Sequence, residues 1–353
     1  MTTEATSARY ARPRETGGPT RLAGNELPYE PPAPVLAAIH GDEAVNRYPD
    51  PAYTALTSAL AEHLGTPAEH IVLGAGSSSV FQRLFRVACA EPGGAVMWTA
   101  PTYDAFDLFA RQAGALAQRI APTSDGAVDL GAMLAASTAD TRMIILVNPH
   151  NPTGAVLRGS DLRAFLDEVD EGITVVVDEA YREFCTDTDI ADGLAVAKAR
   201  WAAGRHDVAV VRTFSKAYGL AGMRVGYCVA PVPLAQRVRD EGVPREVTFH
   251  AAATAVAALE AQAEMRENVS RIVAERTRVL AELRRIGFAP GDSQSNYVWL
   301  PLAGNADRFA AHCADDDVVV LAIAGHGVRV SIGSEADNDR LLHAARAWAT
   351  VGN

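Results

Sequence analysis

From about residue 52 the apolar and polar positions settle into two alternating rhythms. Helical spacing over 53–64 leads to a short apolar run at 71–73, then to glycines, then to a second helical pattern from Ser77 through Ala90. Further β-like runs follow at 95–99, 143–147, 173–177, 208–212 and 225–229, with helical patterns at 104–113, 160–169 and 190–203. Short apolar runs separated by helices predict a mostly parallel sheet covered on both faces. Beyond Pro231 and Pro233 the texture changes. An Ala-, Glu- and Arg-rich stretch over 250–285 predicts one extended helix ending near Gly287. A strand (297–300), a helix (306–313), two β-like runs (318–321 and 328–332) and a last helix (335–348) then predict a smaller α+β unit. The first 20 or so residues are polar, with Pro13, Gly17, Gly18 and Pro19, and predict no regular element. The major domain is placed at 46–235 and the minor one at 236–353.

Composition narrows the class. A chain of 353 residues with 48% hydrophobic and 21% charged residues can bury a sizeable core in two domains. Its formal net charge of −11 argues against nucleic acid and anionic membrane surfaces as partners. Cys89, Cys185, Cys228 and Cys313 form no CxxC pair, which suits a reducing cytoplasm. The start of the chain lacks the apolar run of a signal peptide, and no long apolar stretch predicts a membrane span. The nine histidines show no ligand spacing, so no metal is expected.

In a wound α/β sheet, ligands bind beyond the carboxyl ends of the strands. The residues that follow each run are therefore the ones to read. After 71–73 comes Gly74-Ala75-Gly76-Ser77-Ser78-Ser79, either an anion cradle at a helix N-terminus or a plain capped turn. It is not GxGxxG, because Ser79 stands where the third glycine belongs. After 143–147 comes Asn148-Pro149-His150-Asn151-Pro152-Thr153-Gly154, a rigid loop with two Asn side chains to aim. After 173–177 comes Asp178-Glu179-Ala180-Tyr181, where a carboxylate at the rim of a buried sheet is either a helix cap or a charge awaiting a partner. After 208–212 comes Thr213-Phe214-Ser215-Lys216, followed by glycines and Arg224. A lysine there is either solvated or desolvated and nucleophilic.

Together these loops form one constellation, and pyridoxal 5′-phosphate (PLP) catalysis uses all of it. A lysine forms the Schiff base, an aspartate keeps the pyridine nitrogen protonated, Asn and Tyr bond the phenolic oxygen, and hydroxyls with an arginine hold the phosphate.

The chain also resembles the fold-type I PLP-dependent aminotransferases (class I/II), and among them the histidinol-phosphate and aromatic amino-acid aminotransferase group. The motifs that carry the resemblance are Asn151-Pro152-Thr153-Gly154, Asp178-Glu179-Ala180-Tyr181 and the run from Ser215 to Arg224. Asn25-Glu26-Leu27-Pro28, Arg47-Tyr48-Pro49-Asp50, Pro101-Thr102-Tyr103, Ser295-Asn296-Tyr297-Val298 and Val328-Arg329-Val330-Ser331 extend it in order from about residue 22 onward. It implies an α/β fold: a large domain whose mostly parallel seven-stranded sheet lies between helices, plus a small α+β domain. Residues 1–45 would be an arm contributing to the small domain and the active-site entrance.

The resemblance also implies roles. Lys216 would be the Schiff-base lysine and then the base, with Asp178 on the pyridine N–H, Asn151 and Tyr181 on the phenolic oxygen and Tyr103 stacked on the ring. Gly76, Ser77, Ser78, Thr213, Ser215 and Arg224 would hold the phosphate, and Tyr48 would reach across a homodimer interface to the neighbour's cofactor and substrate. Arg329 would bind the substrate's anionic group, with Asn25, Tyr48 and Asn151 also lining the substrate site. The implied reaction is ping-pong transfer of an amino group between an amino acid and a 2-oxo acid, in the cytoplasm and in amino-acid biosynthesis. The substrate would be aromatic or of histidinol-phosphate type. One departure points elsewhere: Arg245, Glu246 and His250 occupy a segment that is more apolar in relatives handling aromatic side chains, and Glu246 facing a guanidinium would suit a basic amino acid. A decarboxylase or oxidase on the same fold is the alternative reading.

Overall fold

The computed structural model describes residues 18–41, 46–91 and 93–350. The first described elements are β1 (Thr20–Leu22), α1 (Ala33–Ile39) and α2 (Thr54–Leu64). The large α/β region then runs β2 (Ile71–Ala75), α3 (Ser77–Ala88), β3 (Ala95–Thr99), α4 (Ala105–Ala113), β4 (Leu116–Ile120), α5 (Leu130–Ala136), β5 (Thr141–Val147), α6 (Gly159–Glu168), β6 (Thr174–Asp178), α7 (Gly193–Ala202), β7 (Val208–Thr213) and β8 (Val225–Val229). After it come α8 (Val232–Asp240), α9 (Phe249–Glu260), α10 (Gln262–Ile286), β9 (Tyr297–Leu300), α11 (Ala306–Asp315), β10 (Val318–Ile323), β11 (Gly327–Ser331) and α12 (Glu335–Thr350).

The seven-stranded sheet has the order β2-β8-β7-β6-β5-β3-β4. Only β8 runs against the rest, pairing antiparallel with both β2 and β7. Its central strands are apolar on both faces because both faces are covered. Ile144 and Leu146 of β5, with Val175 and Val177 of β6, enter one core; Met143, Ile145, Val147 and Val176 enter the other, beneath α3 and α4. The smaller sheet has the order β1-β10-β11-β9, so the N-terminal segment supplies a strand to the C-terminal unit through parallel pairing of β1 with β10.

Several expectations need correction. The stretch 250–285 is two helices, broken at Ala261, whose ψ of 39° leaves the helical range. The reason is tertiary. α9 packs on α1 and α2, whereas α10 leaves to pack along α12, and one straight rod cannot serve both surfaces. No Pro or Gly marks the break, so periodicity runs straight through it. The end at Gly287 is as expected: that residue caps α10 with φ 109°. The edge strand β4 was not predicted, because it exposes Leu116 and carries Gln118 and Arg119, a pattern with no apolar run. The short helices α1, α5 and α8 and the three-residue β1 also went unpredicted; most of the stretch expected to lack regular structure, residues 1–17, lies outside the described residues.

Candidate active site

The carboxyl ends of β2, β5, β6 and β7 bring the predicted loops together. β2 ends at Gly74-Ala75, and Gly76 (φ 80°) turns the chain into α3. No side chain caps this helix, so its first N–H groups, at Ser77 and Ser78, stay available to an anion. Two glycines make the turn fit. A Cβ on Gly76 would run into the Arg224 guanidinium, and one on Gly226 of β8 would run into the Ser77 backbone nitrogen. Arg224, itself at φ 58°, donates to the Ser215 hydroxyl (3.3 Å) and the Ala221 carbonyl (3.2 Å). The Thr213 hydroxyl accepts from the Ser215 N–H at 3.1 Å. The Ser78 and Tyr103 hydroxyls lie 2.9 Å apart, and burial raises the Tyr103 phenol above its ordinary range. These residues line one cradle bounded by hydroxyls, a guanidinium and a helix N-terminus.

The acid–base groups stand next to it. Lys216, three residues beyond β7, donates to the Gly24 carbonyl at 3.1 Å and sits 5.7 Å from the Tyr181 ring centroid. Asp178 is the last residue of β6, buried, with an Oδ1 that accepts the Ala180 N–H at 3.1 Å. Burial pushes its carboxyl up to about 7; the Ala180 N–H and the Lys216 charge act against that shift, and Glu179 reinforces it.

A third group joins the N-terminal segment to the small sheet. The Asn25 amide donates to the Tyr181 hydroxyl (3.0 Å), while its Oδ1 accepts from the Ser331 hydroxyl (2.8 Å) and its carbonyl from Asn296 Nδ2 (3.0 Å). Asn25 holds φ 54°, a conformation open to Asn at low cost. Arg329 of β11 donates to Asn151 Oδ1 (2.6 Å) and to the Ala23 carbonyl (2.7 Å).

Most of the predicted residues thus converge: Gly76, Ser77, Ser78, Tyr103, Asn151, Asp178, Tyr181, Thr213, Ser215, Lys216, Arg224 and Arg329. Three more positions lie apart from this cradle or turn away from it. Asn25 is wholly buried and contacts Tyr181. Tyr48 is 87% exposed, its ring 5.3 Å from the Arg245 guanidinium. Glu246 faces inward to Arg83 (2.7 Å) and accepts from the Ser79 hydroxyl (2.6 Å), so the carboxylate proposed for a basic substrate is already engaged. Sequence reasoning gave no role to Asn296 and Ser331, although both stand in motifs it singled out.

The family model of the aminotransferases of class I and II matches residues 18–344. The chain belongs to this family. It is an aminotransferase, and its cofactor is PLP. It is 41% identical over 334 residues to an aromatic amino acid aminotransferase of Streptomyces avermitilis, covering 94% of this chain and 91% of that one. An aromatic amino acid aminotransferase of Thermobifida fusca is 42% identical over 344 residues, covering 96% and 94%. Among solved structures, the PLP complex of histidinol-phosphate aminotransferase from Sinorhizobium meliloti superposes with a TM-score of 0.85 at 27% identity, covering 99% of this chain and 95% of that one. The aminotransferase's own residues suit the cofactor: a glycine-lined anion cradle against Arg224, and a carboxyl at the sheet rim held above its ordinary range chiefly by burial.

Proposed function

We propose that this aminotransferase moves the amino group of an aromatic L-amino acid to a 2-oxo acid by a ping-pong reaction. The observation that carries the substrate class is the fate of Glu246. Its carboxylate is occupied by Arg83 and Ser79, which removes the feature that argued for a basic side chain and leaves the aromatic preference named for relatives at 41% and 42% identity.

PLP, when bound, supplies an electron sink for negative charge developing at the substrate Cα. The chain's residues do the rest. Lys216 would carry the cofactor, and its Nζ would then move the Cα proton in the 1,3-shift that transamination requires. Asp178, as an anion, holds a proton on the pyridine nitrogen, where the positive partner offsets the cost of its burial. Asn151 and Tyr181 bond the phenolic oxygen. The Asn25 amide donates to Tyr181, which directs the tyrosine's own proton away from Asn25 and toward the ring. Gly76, Ser77, Ser78, Thr213, Ser215 and Arg224 would hold the phosphate, and Tyr103 would lie against the ring.

Arg329 grips the substrate carboxylate in a planar fork whose orientation is fixed beforehand by Asn151 and the Ala23 carbonyl. A gripped carboxylate is protected from loss, which favours transamination over decarboxylation. Tyr48, exposed in the single chain, supports a homodimer in which it completes the partner's site; a cytoplasmic location fits the four dispersed free cysteines. Among the described residues no helix is long and apolar enough to cross a membrane.

The test is a panel of amino donors (phenylalanine, tyrosine, histidinol phosphate, arginine) scored by conversion of the bound cofactor to its amine form. Phenylalanine and tyrosine should convert it fastest. A preference for arginine would overturn the role given to Glu246, and a preference for histidinol phosphate would overturn the aromatic assignment.

A further inference from the structure

Behind the phosphate cradle lies a second polar cluster with no part in the chemistry above. Arg83, one turn beyond Ser79 on α3, is 4% exposed. Its Nη2 donates to the Leu73 carbonyl (2.6 Å) and pairs with Glu246 Oε1 (2.7 Å), while Nε donates to the Ser79 carbonyl (3.3 Å). The Ser79 hydroxyl donates to the other oxygen of Glu246 at 2.6 Å. The next N–H, of Val247, donates to the Tyr53 hydroxyl at 3.1 Å, fixing the segment that carries Glu246 to the start of α2.

The guanidinium occupies a slot that two glycines leave open. A Cβ on Gly74 would come within 2.5 Å of Nη2, and one on Gly242 within 2.8 Å of Nη1. Burial lowers the Arg83 pKa from its ordinary value, with Glu246 acting against that. The slot, the ion pair and the serine that replaces the third glycine all act on one stretch, Leu73 to Ser79. That stretch includes the turn that presents N–H groups to the phosphate. A brace on both of its ends limits how far the turn can spread, and a preorganised anion site loses less entropy when the anion binds.

We propose that Arg83 and Glu246, with Ser79, are positioning residues for the cofactor's phosphate: they hold the Gly74–Ser78 turn in the phosphate-binding shape from behind. This rests on the reading that this turn holds the phosphate of PLP.

The experiment compares apo-enzyme binding of PLP with that of pyridoxal, which has the same ring and aldehyde but no phosphate, by absorbance titration. Arg83→Met/Glu246→Gln removes the pair without leaving a lone buried charge. Ser79→Ala, a milder change, removes one bond and keeps the pair, and covers the case where the double variant does not fold. The double variant should weaken PLP about tenfold and Ser79→Ala about threefold, while pyridoxal affinity stays within about twofold of wild type in both. Arg83→Lys should recover part of the PLP affinity. Equal weakening of both ligands, or no weakening of PLP, overturns the proposal. Failure of the wild type to take up PLP while binding pyridoxal would instead overturn the assignment of the turn as the phosphate site.

Discussion

Two neighbouring carboxylates at the exit of β6 belong to regions built on opposite plans. Glu179 faces a structural cluster in which it is fully satisfied: Arg212 donates to Oε2 from Nε (2.9 Å) and Nη2 (2.7 Å), and the Gly193 N–H donates to Oε1 (2.7 Å). Asp178 faces the cradle, where one backbone N–H at 3.1 Å and the charge of Lys216 do not offset burial. The first region is complete in the folded chain. On the proposed reading, a cationic ring nitrogen would complete the second. The difference shows two plans at one sheet edge: the charge of Glu179 is fully met within the fold, and that of Asp178 is only partly offset.

That contrast can be broken at several points. The largest effect is expected from Lys216→Ala, which should abolish the visible absorbance of the cofactor and lower turnover by about 10⁴-fold or more. A colourless wild type would defeat the cofactor assignment outright. Glu179→Gln should leave the absorbance in place and cost about 3 kcal/mol in a urea unfolding titration, because it strands the buried Arg212. A loss of turnover without loss of stability would erase the distinction between the two regions. Asn25→Ala, which removes the donor to Tyr181, should lower kcat by about tenfold with cofactor binding kept; Ser331→Ala should do the same more weakly.

The smallest effect is a pH dependence of the apo-protein. The folded pKa of Asp178 is raised, so its contribution to stability is fully present below about pH 4 and is lost as pH rises through about 7. Burial raises the Glu183 carboxyl to about 7 as well, so the comparison must isolate one group. Relative to Asp178→Asn, the wild-type apo-protein should lose a few degrees of Tm between pH 4 and 7, and PLP should restore them. Parallel Tm curves would mean that Asp178 carries no unmet charge.

Much of the fold and site was legible because the sheet and the chemistry share one signal. Five of the short apolar runs, at 71–73, 95–99, 143–147, 173–177 and 208–212, lead into loops that carry candidate site residues, so finding 173–177 also finds Asp178. The pieces that escaped have no such run. β4 lies at an edge and exposes its side chains, and the break at Ala261 follows from which surfaces α9 and α10 must cover. Contacts between distant segments escaped for a related reason. Nothing local tells Asn25 that it will meet Tyr181 and Ser331, or Glu246 that Arg83 will meet it in a slot opened by Gly74 and Gly242. Which residue types stand at the strand exits was readable; which way each faces was a property of the fold.

The most direct test of the part given to Asp178 is the half-reaction with phenylalanine, followed by absorbance in Asp178→Asn and Glu179→Gln after both are loaded with PLP. Asp178→Asn should take up the cofactor and then convert it at least about a hundredfold more slowly than wild type, while Glu179→Gln, where folded, should convert it at nearly the wild-type rate. Conversion by Asp178→Asn at the wild-type rate would contradict the account.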